Sequence, residues 1–256
     1  MKNKIALVTG GGQGIGKAVA LTLASYGAKV VVTDINRDRA TATSQEIRAM
    51  GEEGMAIAAD VSVKEEVQSM IDETIQSYGR IDILVNCAGI IHSSLLIDLD
   101  EKMWDRVMDV NAKGVFLCCQ LAAKEMMKVG AGKIINISSI AAKTGEIGNG
   151  VYCASKAAVS MLTQTLALEL APYNIKVNAV CPGYTNTDIM QNVFVNRGPI
   201  EGMTPEEYKN QLLAQVPLGR MAEPSEVGEL VAFLASDKSD YITGISINIA
   251  GGKELH

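Results

Sequence analysis

Short apolar runs alternate with longer segments of helical periodicity along almost the whole chain. Several of these runs are apolar nearly without interruption, as is typical of strands buried on both faces of a sheet. Such alternation predicts a parallel sheet, because each intervening helix returns the chain by a right-handed crossover. The runs predicted as strands are residues 5–9, 29–33, 55–59, 83–86, 133–137, 176–180 and 246–249.

The segments between these runs have the spacing of amphipathic helices. They are residues 14–26, 37–50, 64–78, 103–129, 152–171 and 225–235. No internal repeat, low-complexity tract or linker interrupts the 256 residues. We therefore predict an α/β fold in which residues 1–256 form one domain. It is a doubly wound parallel sheet of about seven strands with helices on both faces, the Rossmann fold.

Composition and charge exclude several classes of protein. The chain is 48% hydrophobic and 20% charged, so it can bury a full core and is not disordered. Its formal net charge is −6 without a basic run, which argues against nucleic acid or an anionic membrane as a partner. The longest apolar stretches are strand-sized and too short to span a bilayer.

The cysteines and histidines predict a cytoplasmic protein without a metal site. The five cysteines are not paired at metal-binding spacings, and there are two histidines. Met1 to Lys4 lead straight into the first predicted strand and have no signal-peptide pattern. We expect reduced thiols, a cytoplasmic location and no bound metal.

One connection is longer than the others. Between Pro182 and Pro217 the chain holds an apolar patch, the sequence Arg197-Gly-Pro199 and a short helix pattern that starts near Thr204. Long connections in compact domains often cover active sites, so we predict a substrate lid within residues 184–216. A plain surface excursion is the alternative.

A glycine-rich loop follows the first predicted strand and opens the first predicted helix. It reads Thr9-Gly-Gly-Gly-Gln-Gly-Ile-Gly16. Glycines allow the backbone to approach a pyrophosphate, and the helix N-terminus offers N–H donors and a positive dipole. A dinucleotide-binding loop is predicted here, and a merely tight β–α turn is the alternative.

Two carboxylates end the second and third predicted strands. Asp34 stands where it can bind both hydroxyls of an adenosine ribose and repel the 2′-phosphate of NADP, so we predict NAD as the cofactor. Arg37 and Arg39 could attract that phosphate, and Asp34 could instead cap the next helix. Asp60 could meet an adenine amino group or serve as an N-terminal turn residue.

Tyr152 and Lys156 are four residues apart in Val151-Tyr-Cys-Ala-Ser-Lys156, and Ser139 precedes the tyrosine by thirteen residues. Residues at this spacing share one face of a helix. An ammonium beside a phenol lowers the phenol pKa, and such a phenol can exchange a proton with an alcohol oxygen. An incidental pair at the start of a surface helix is the alternative.

With these features in place, the sequence resembles the short-chain dehydrogenase/reductase family over essentially its whole length. The features that carry the resemblance are the glycine pattern at 9–16, Asp60, Asn86-Cys-Ala-Gly89, Asn111, Ser139, Tyr152 with Lys156, Pro182-Gly183 and Thr187. The family usually has a second asparagine where this chain has Cys87. Because that contact to the adenosine ribose is expected to be mainly through the backbone, the change bears little on cofactor binding.

The resemblance implies a role for each catalytic residue. Tyr152 is expected to be the acid/base, Lys156 to hold the nicotinamide ribose and depress the tyrosine pKa, and Ser139 to position the reacting oxygen. The family spacing selects Ser139 over Ser138. Asn111 is expected to hold a water in the proton relay, although an asparagine bonded to local backbone inside a helix is the alternative.

The resemblance also implies the cofactor contacts and a homotetrameric assembly. The residues expected at the cofactor are Gly10, Gln13, Gly14, Ile15, Gly16, Asp34, Asp60, Val61, Asn86, Ala88, Gly89, Tyr152, Lys156, Pro182, Gly183, Thr185 and Thr187.

The expected reaction is hydride transfer between NAD and a secondary alcohol or its ketone. The pattern resembles the polyol, sugar-alcohol and butanediol dehydrogenases of the family. Glu146 is expected to accept hydrogen bonds from substrate hydroxyls, although Glu146 and His92 could equally be solvent-exposed loop residues. The residues expected at the substrate are His92, Ala141, Glu146, Asn149 and Tyr184. The alternatives are a 3-oxoacyl-[acyl-carrier-protein] reductase and a catalytically silent NAD-sensing protein.

Overall fold

In the computed structural model, which describes residues 1–255, seven strands form one parallel sheet in the order β3-β2-β1-β4-β5-β6-β7. The strands are β1 (Ile5–Thr9), β2 (Lys29–Asp34), β3 (Gly54–Ala58), β4 (Ile83–Asn86), β5 (Gly132–Ile137), β6 (Ile175–Pro182) and β7 (Ser246–Ile249). Every predicted strand is present and the predicted α/β fold is confirmed, with boundaries that differ by at most two residues.

The strand order creates a crevice at one edge of the sheet. The chain runs outward from β1 to β3 and then returns to place β4 on the other side of β1. Crossover connections leave β1 and β4 in opposite directions, so a gap opens between them at the carboxyl ends of the strands. The loop after Thr9 and the loop after Asn86 therefore flank one cleft.

Helices cover both faces of the sheet, as predicted. They are α1 (Gly14–Ser25), α2 (Arg37–Ala49), α3 (Lys64–Tyr78), α4 (Glu101–Met108), α5 (Gly114–Val129), α6 (Gly150–Leu170), α7 (Asp188–Arg197), α8 (Pro205–Ala214) and α9 (Pro224–Ala235). One apolar core packs α1, α2 and α9 on the sheet, and a second packs α3, α5 and α6 on the opposite face. None of the helices in residues 1–255 has both the length and the apolar character that crossing a membrane requires.

The prediction of a single helix over residues 103–129 is wrong in one respect. A π-helical turn over Asp109–Lys113 separates α4 from α5, and Asn111 lies within that turn. π-turns are rare and occur frequently at functional sites, because the extra residue redirects side chains and frees backbone groups. Helical periodicity does not reveal such a turn, since the pattern of apolar residues continues across it.

The long connection folds into a small layer of its own. It contains α7, a 3₁₀ turn at Pro199–Glu201, and α8. Val193, Phe194, Tyr208 and Leu212 are buried together and hold the two helices against each other. Thr204 caps α8 in a capping box with Glu207, which explains where that helix starts.

Candidate active site

The catalytic residues predicted from the sequence meet in the cleft. Ser139 follows β5, and Tyr152 and Lys156 lie on the first two turns of α6; all three line the cleft. Lys156 Nζ is 5.6 Å from the centroid of the Tyr152 ring, and the Ser139 side chain lies close enough to the tyrosine to lower its pKa. The helical spacing of four residues and the end of β5 thus bring the three groups together.

The neighbouring serine, Ser138, has a structural role. Ser138 Oγ donates to the carbonyl oxygen of Lys156 at 3.0 Å and pairs with Ser160 Oγ at 2.9 Å, so it joins β5 to α6. Ser139 Oγ accepts a hydrogen bond from Ala141 N at 3.1 Å and lies beside the tyrosine. The choice of Ser139 over Ser138 agrees with this geometry.

Burial has the largest effect on the pKa values of both Tyr152 and Lys156. It raises the pKa of Tyr152 well above its ordinary value, against a lowering effect of the hydrogen bond from Ser139, and the charge of Glu146 raises it further. Burial lowers the pKa of Lys156 to about 8, and its Nζ donates to the carbonyl oxygen of Ile137 at 2.8 Å. In the protein alone, burial outweighs any lowering of the Tyr152 pKa by Lys156, because desolvation favours the neutral phenol, and the expected depression by Lys156 stays a prediction.

Asn111 is fully buried, and protein groups take up its side chain. Its Oδ1 accepts from Ile90 N at 2.8 Å, and its Nδ2 donates to Ile90 O at 2.9 Å and to Ser155 Oγ at 3.0 Å. The side chain thereby joins the backbone at Ile90, after β4, to α6. Asn111 is not among the residues that line the cleft, and its part in a proton relay stays a prediction.

The glycine loop has the shape that a pyrophosphate requires. A Cβ on Gly16 would lie 2.1 Å from the carbonyl oxygen of Gly10, and a Cβ on Gly10 would lie 2.7 Å from Ala88 Cα. Helix α1 starts at Gly14 without a side-chain cap and without an acidic residue in its first turn. Its first N–H groups therefore stay available for an anion in the cleft.

Asp34 lines the cleft and is not a helix cap. Its Oδ2 accepts from Gly12 N and its Oδ1 from Asn36 N, both at 3.0 Å. The side chain that caps α2 belongs to Asn36, whose Oδ1 accepts from Arg39 N. Arg39 also lines the cleft and donates to the Gln13 side chain. The Asp34 carboxylate is thus held by two backbone amides at the position expected for ribose recognition.

Asp60 is held by an arginine that the sequence did not single out. Arg106 of α4 contacts Asp60 Oδ2 at 3.3 Å, and Ser62 Oγ donates to Asp60 Oδ1 at 2.6 Å. Burial works to raise the pKa of Asp60, but the hydrogen bonds from Ser62 and the charge of Arg106 outweigh it and the pKa is lowered. Asp60 stays ionised and lines the cleft together with Arg106.

Most of the other predicted residues also line the cleft. Besides the residues already placed there, those lining it are Gln13, Ile15, Val61, Ala88, Gly89, Ala141, Glu146, Asn149, Pro182, Gly183, Tyr184, Thr185 and Thr187. Thr187 also caps α7, because its Oγ1 accepts from Met190 N at 3.3 Å.

Asn86 and His92 do not line the cleft, contrary to prediction. Asn86 is buried within the sheet, where its Nδ2 donates to Asn136 Oδ1 at 2.8 Å and joins β4 to β5. His92 is half-buried beyond the residues that face the cleft. Cys87 does line it, and burial raises the pKa of its thiol to about 12, so it is not a nucleophile at neutral pH.

Glu146 lines the cleft, and its carboxylate already has partners within the protein. Arg197, at the end of α7, is 5% exposed and donates from Nη1 to Glu146 Oε2 at 2.7 Å. Asn149 Nδ2 donates to the same oxygen at 2.9 Å. Arg197 lines the cleft, and sequence reasoning missed it because its partner is 51 residues away. Its one local signal is a cation at the end of an apolar helical stretch.

The chain matches well-described proteins over nearly its full length. Residues 10–254 match the family model described as enoyl-(acyl carrier protein) reductase. The 3-oxoacyl-[acyl-carrier-protein] reductase FabG of Staphylococcus epidermidis is 44% identical over 98% of each chain. The (3R)-3-hydroxyacyl-CoA dehydrogenase of Mus musculus is 39% identical over 98% of this chain and 96% of its own. A solved NAD+-bound xylitol dehydrogenase superposes with a TM-score of 0.95 at 33% identity, over 98% of this chain and 99% of its own.

Proposed function

This chain belongs to the short-chain dehydrogenase/reductase family, and we propose that it is an NAD-dependent member that interconverts a secondary alcohol and its ketone. The observation that carries this proposal is the meeting of Ser139, Tyr152 and Lys156 in a cleft that also holds the glycine loop and Asp34. A silent NAD-sensing protein needs no such catalytic set, so an enzyme is favoured.

The residues of the cleft fit a nicotinamide dinucleotide. The glycine loop and the uncapped start of α1 would hold the pyrophosphate, and the Asp34 carboxylate would accept hydrogen bonds from the adenosine ribose. Asp60 and Arg106 would flank the adenine, and Lys156 would bind the nicotinamide ribose. A bound cofactor supplies or accepts the hydride.

The protein side of the reaction is a proton exchange at the substrate oxygen. Tyr152 would donate its phenolic proton to the oxygen of a ketone, or take the proton of an alcohol as the phenolate. Ser139 would donate a hydrogen bond to the same oxygen and fix its position. Burial makes the neutral phenol the resting form, which suits the donating direction. Lys156 stabilises the phenolate that remains after donation.

A 3-oxoacyl thioester is the substrate class that the relatives support most. FabG of S. epidermidis and the mouse 3-hydroxyacyl-CoA dehydrogenase carry this chemistry in their names and match the whole chain. The keto group at C3 and its alcohol are the pair that Tyr152 and Ser139 would handle.

A polyol or vicinal diol is the second candidate. The substrate end of the cleft holds the Glu146–Arg197 ion pair and Asn149, which suit a substrate with several polar groups. The likeness to xylitol dehydrogenase, with its TM-score of 0.95, supports the same reading.

Steady-state assays separate these possibilities. NAD(H) and NADP(H) are tested with acetoacetyl thioesters, 2,3-butanediol and xylitol. Tyr152→Phe is expected to lower turnover by roughly 10²–10⁴-fold while NADH binding, measured by calorimetry, is unchanged. Turnover by Tyr152→Phe close to that of the wild type would refute the mechanism. Wild-type protein that binds NADH and turns over none of the substrates would favour the sensor.

Large apolar side chains on α5 and α6 support a homo-oligomer. Phe116, Met161 and Leu168 are 40%, 60% and 79% exposed. Such side chains on neighbouring helices are typical of subunit interfaces. We propose a homotetramer, and a single monomeric species in mass photometry would contradict it.

A further inference from the structure

Three polar side chains form a cluster at the end of the cleft that the lid covers. Arg197 donates to Glu146 Oε2 at 2.7 Å, and Asn149 donates to the same oxygen at 2.9 Å. Arg197 and Asn149 are 5% and 2% exposed. We refer to Glu146, Asn149 and Arg197 as the polar cluster.

The cluster is built onto the catalytic helix and onto the lid. Asn149 directly precedes α6, and its carbonyl oxygen accepts from Cys153 N at 2.9 Å, next to Tyr152. Arg197 ends α7, and its guanidinium lies 5.5 Å from the centroid of the buried Tyr208 ring of α8. A ligand at the cluster would therefore sit at a defined distance from the reacting oxygen.

Some polar atoms of the cluster lack partners. Among the described residues, Arg197 Nε and Asn149 Oδ1 are buried and form no hydrogen bond. Glu146 Oε2 takes both hydrogen bonds to this carboxylate, so Oε1 has no partner in residues 1–255, and the side chain keeps 15% exposure in the cleft. Unpaired buried polar atoms cost free energy, so a ligand oxygen is stabilised if it accepts from Arg197 Nε or, as a hydroxyl, donates to Asn149 Oδ1.

The charge balance of the cluster defines which ligand it accepts. Glu146 lies 2.7 Å and Glu201 lies 4.0 Å from the Arg197 guanidinium, so two carboxylates face one cation. A ligand carboxylate or phosphate would add a further negative charge in a buried site, which is strongly unfavourable. An uncharged oxygen, by contrast, can accept from the guanidinium or donate to Glu146 Oε1.

We propose that Glu146, Asn149 and Arg197 form a specificity subsite that binds a second, uncharged oxygen of the substrate and excludes an anionic group at that position. This inference rests on the proposed alcohol–ketone chemistry and identifies what the substrate carries besides its reacting carbon. Arg197 acts as a positioning residue, because its ion pair holds the Glu146 side chain against the end of α7. A thioester carbonyl and a second hydroxyl both have the required chemistry.

The test compares two ketones that differ mainly in charge. Ethyl acetoacetate and acetoacetate share the reacting C3 carbonyl, but acetoacetate is an anion. Wild-type protein is expected to reduce the ester with a much higher kcat/KM than the acid. Glu146→Gln keeps the shape and an acceptor oxygen for Arg197 but removes one charge, so the ester-to-acid ratio should fall at least about tenfold.

Glu206→Gln is the matched control, because Glu206 lies on α8 of the same lid with a side chain that is 72% exposed, outside the cleft. It makes the same change in net charge and should leave the ratio within about twofold, since exposed charges are screened. The ratio of 2,3-butanediol to 2-butanol turnover identifies the source of the second oxygen. If the diol-to-alcohol ratio falls in Glu146→Gln, the second oxygen is a hydroxyl. If that ratio is unchanged while the ester-to-acid ratio falls, the second oxygen is a carbonyl.

Two results would overturn the subsite. One is equal kcat/KM of the wild type for ester and acid, and the other is the same ratio in Glu146→Gln and Glu206→Gln. Failure of the proposed function gives a different result, because the wild type would then turn over neither ketone and neither alcohol while still binding NADH.

Discussion

The choice between NAD and NADP rests on Asp34 and is tested by Asp34→Asn. The carboxylate is 9% exposed, lines the cleft, and is held by the amides of Gly12 and Asn36 at 3.0 Å. A Cβ at position 12 would meet Asp34 Oδ2 at 2.8 Å, so glycine at this position leaves room for the carboxylate beside the loop. Asparagine keeps this shape and one acceptor oxygen but removes the charge.

The expected magnitude follows from Coulomb's law. One unit of phosphate charge at about 5 Å from the carboxylate costs about 3 kcal/mol at an effective dielectric constant of about 20. The 2′-phosphate of NADP carries more than one unit, and about 1.4 kcal/mol corresponds to a tenfold change in affinity. Asp34→Asn should therefore raise the affinity for NADPH relative to NADH by roughly 100-fold, with Arg39 of the same cleft adding attraction.

The assay is isothermal titration of NADH and NADPH, which needs no knowledge of the substrate. Asp38→Asn is the control, because Asp38 lies exposed in the first turn of α2 and loses the same charge outside the cleft. Wild-type protein that binds both cofactors within threefold would refute the argument. So would an unchanged ratio in Asp34→Asn, even if both affinities fall because one backbone amide loses its acceptor.

Three further predictions concern stability, pH and the cofactor loop. The pKa of Lys156 is about 8 in the folded protein against an ordinary value of 10.5. Between pH 8 and pH 10.5 the unfolded chain therefore binds more protons than the folded protein, and the contribution of Lys156 to stability rises with pH. In urea unfolding, the stability of the wild type relative to Lys156→Met should increase by about 1 kcal/mol between pH 8 and pH 9, and a constant difference would contradict this. Asn111→Ala removes three hydrogen bonds and should cost about 2–3 kcal/mol of unfolding free energy, whereas the exposed Asp109→Ala in the same π-turn should cost less than about 0.5. Gly16→Ala brings a Cβ within 2.1 Å of the Gly10 carbonyl and should abolish NADH binding in calorimetry, whereas Gly145→Ala, with open space around its Cβ, should not.

The parts of the fold that local sequence patterns determine could be predicted. Buried parallel strands such as Val30–Val32 are apolar on both faces, and their pattern therefore appears in the sequence itself. The ends of these strands then locate the side chains at and after them, which is why Asp34 and Ser139 line the cleft. A spacing of four on a helix is equally local, and it brings Tyr152 and Lys156 to one side of α6.

The sequence predicts least about side chains whose direction depends on partners far away in the chain. Asn86 follows the same family pattern as its neighbours, yet its amide turns into the sheet because Asn136 lies opposite it on β5. Asn111 turns to Ile90 because the π-turn rotates it out of the helical register. In the same way, the partner of Glu146 depends on how α7 packs, because Arg197 at the end of α7 is buried with its guanidinium 5.5 Å from the Tyr208 ring of α8.

Local sequence patterns determine the sheet and its helices, whereas distant contacts determine the side chains of the substrate end. This difference explains how the chain can be 44% identical to a 3-oxoacyl-[acyl-carrier-protein] reductase and still superpose on a xylitol dehydrogenase with a TM-score of 0.95. Ser139 follows β5, Tyr152 and Lys156 lie on α6, and the glycine loop joins β1 to α1, so a shared sheet with its helices suffices to keep hydride chemistry in place. The second oxygen of the substrate meets residues of α7 and of the loop after β5, which can change without disturbing that frame. Similarity in sequence and fold therefore indicates the reaction class, whereas the charges of Glu146 and Arg197 determine which substrate binds. The ratio of ester to acid turnover in Glu146→Gln measures that charge directly.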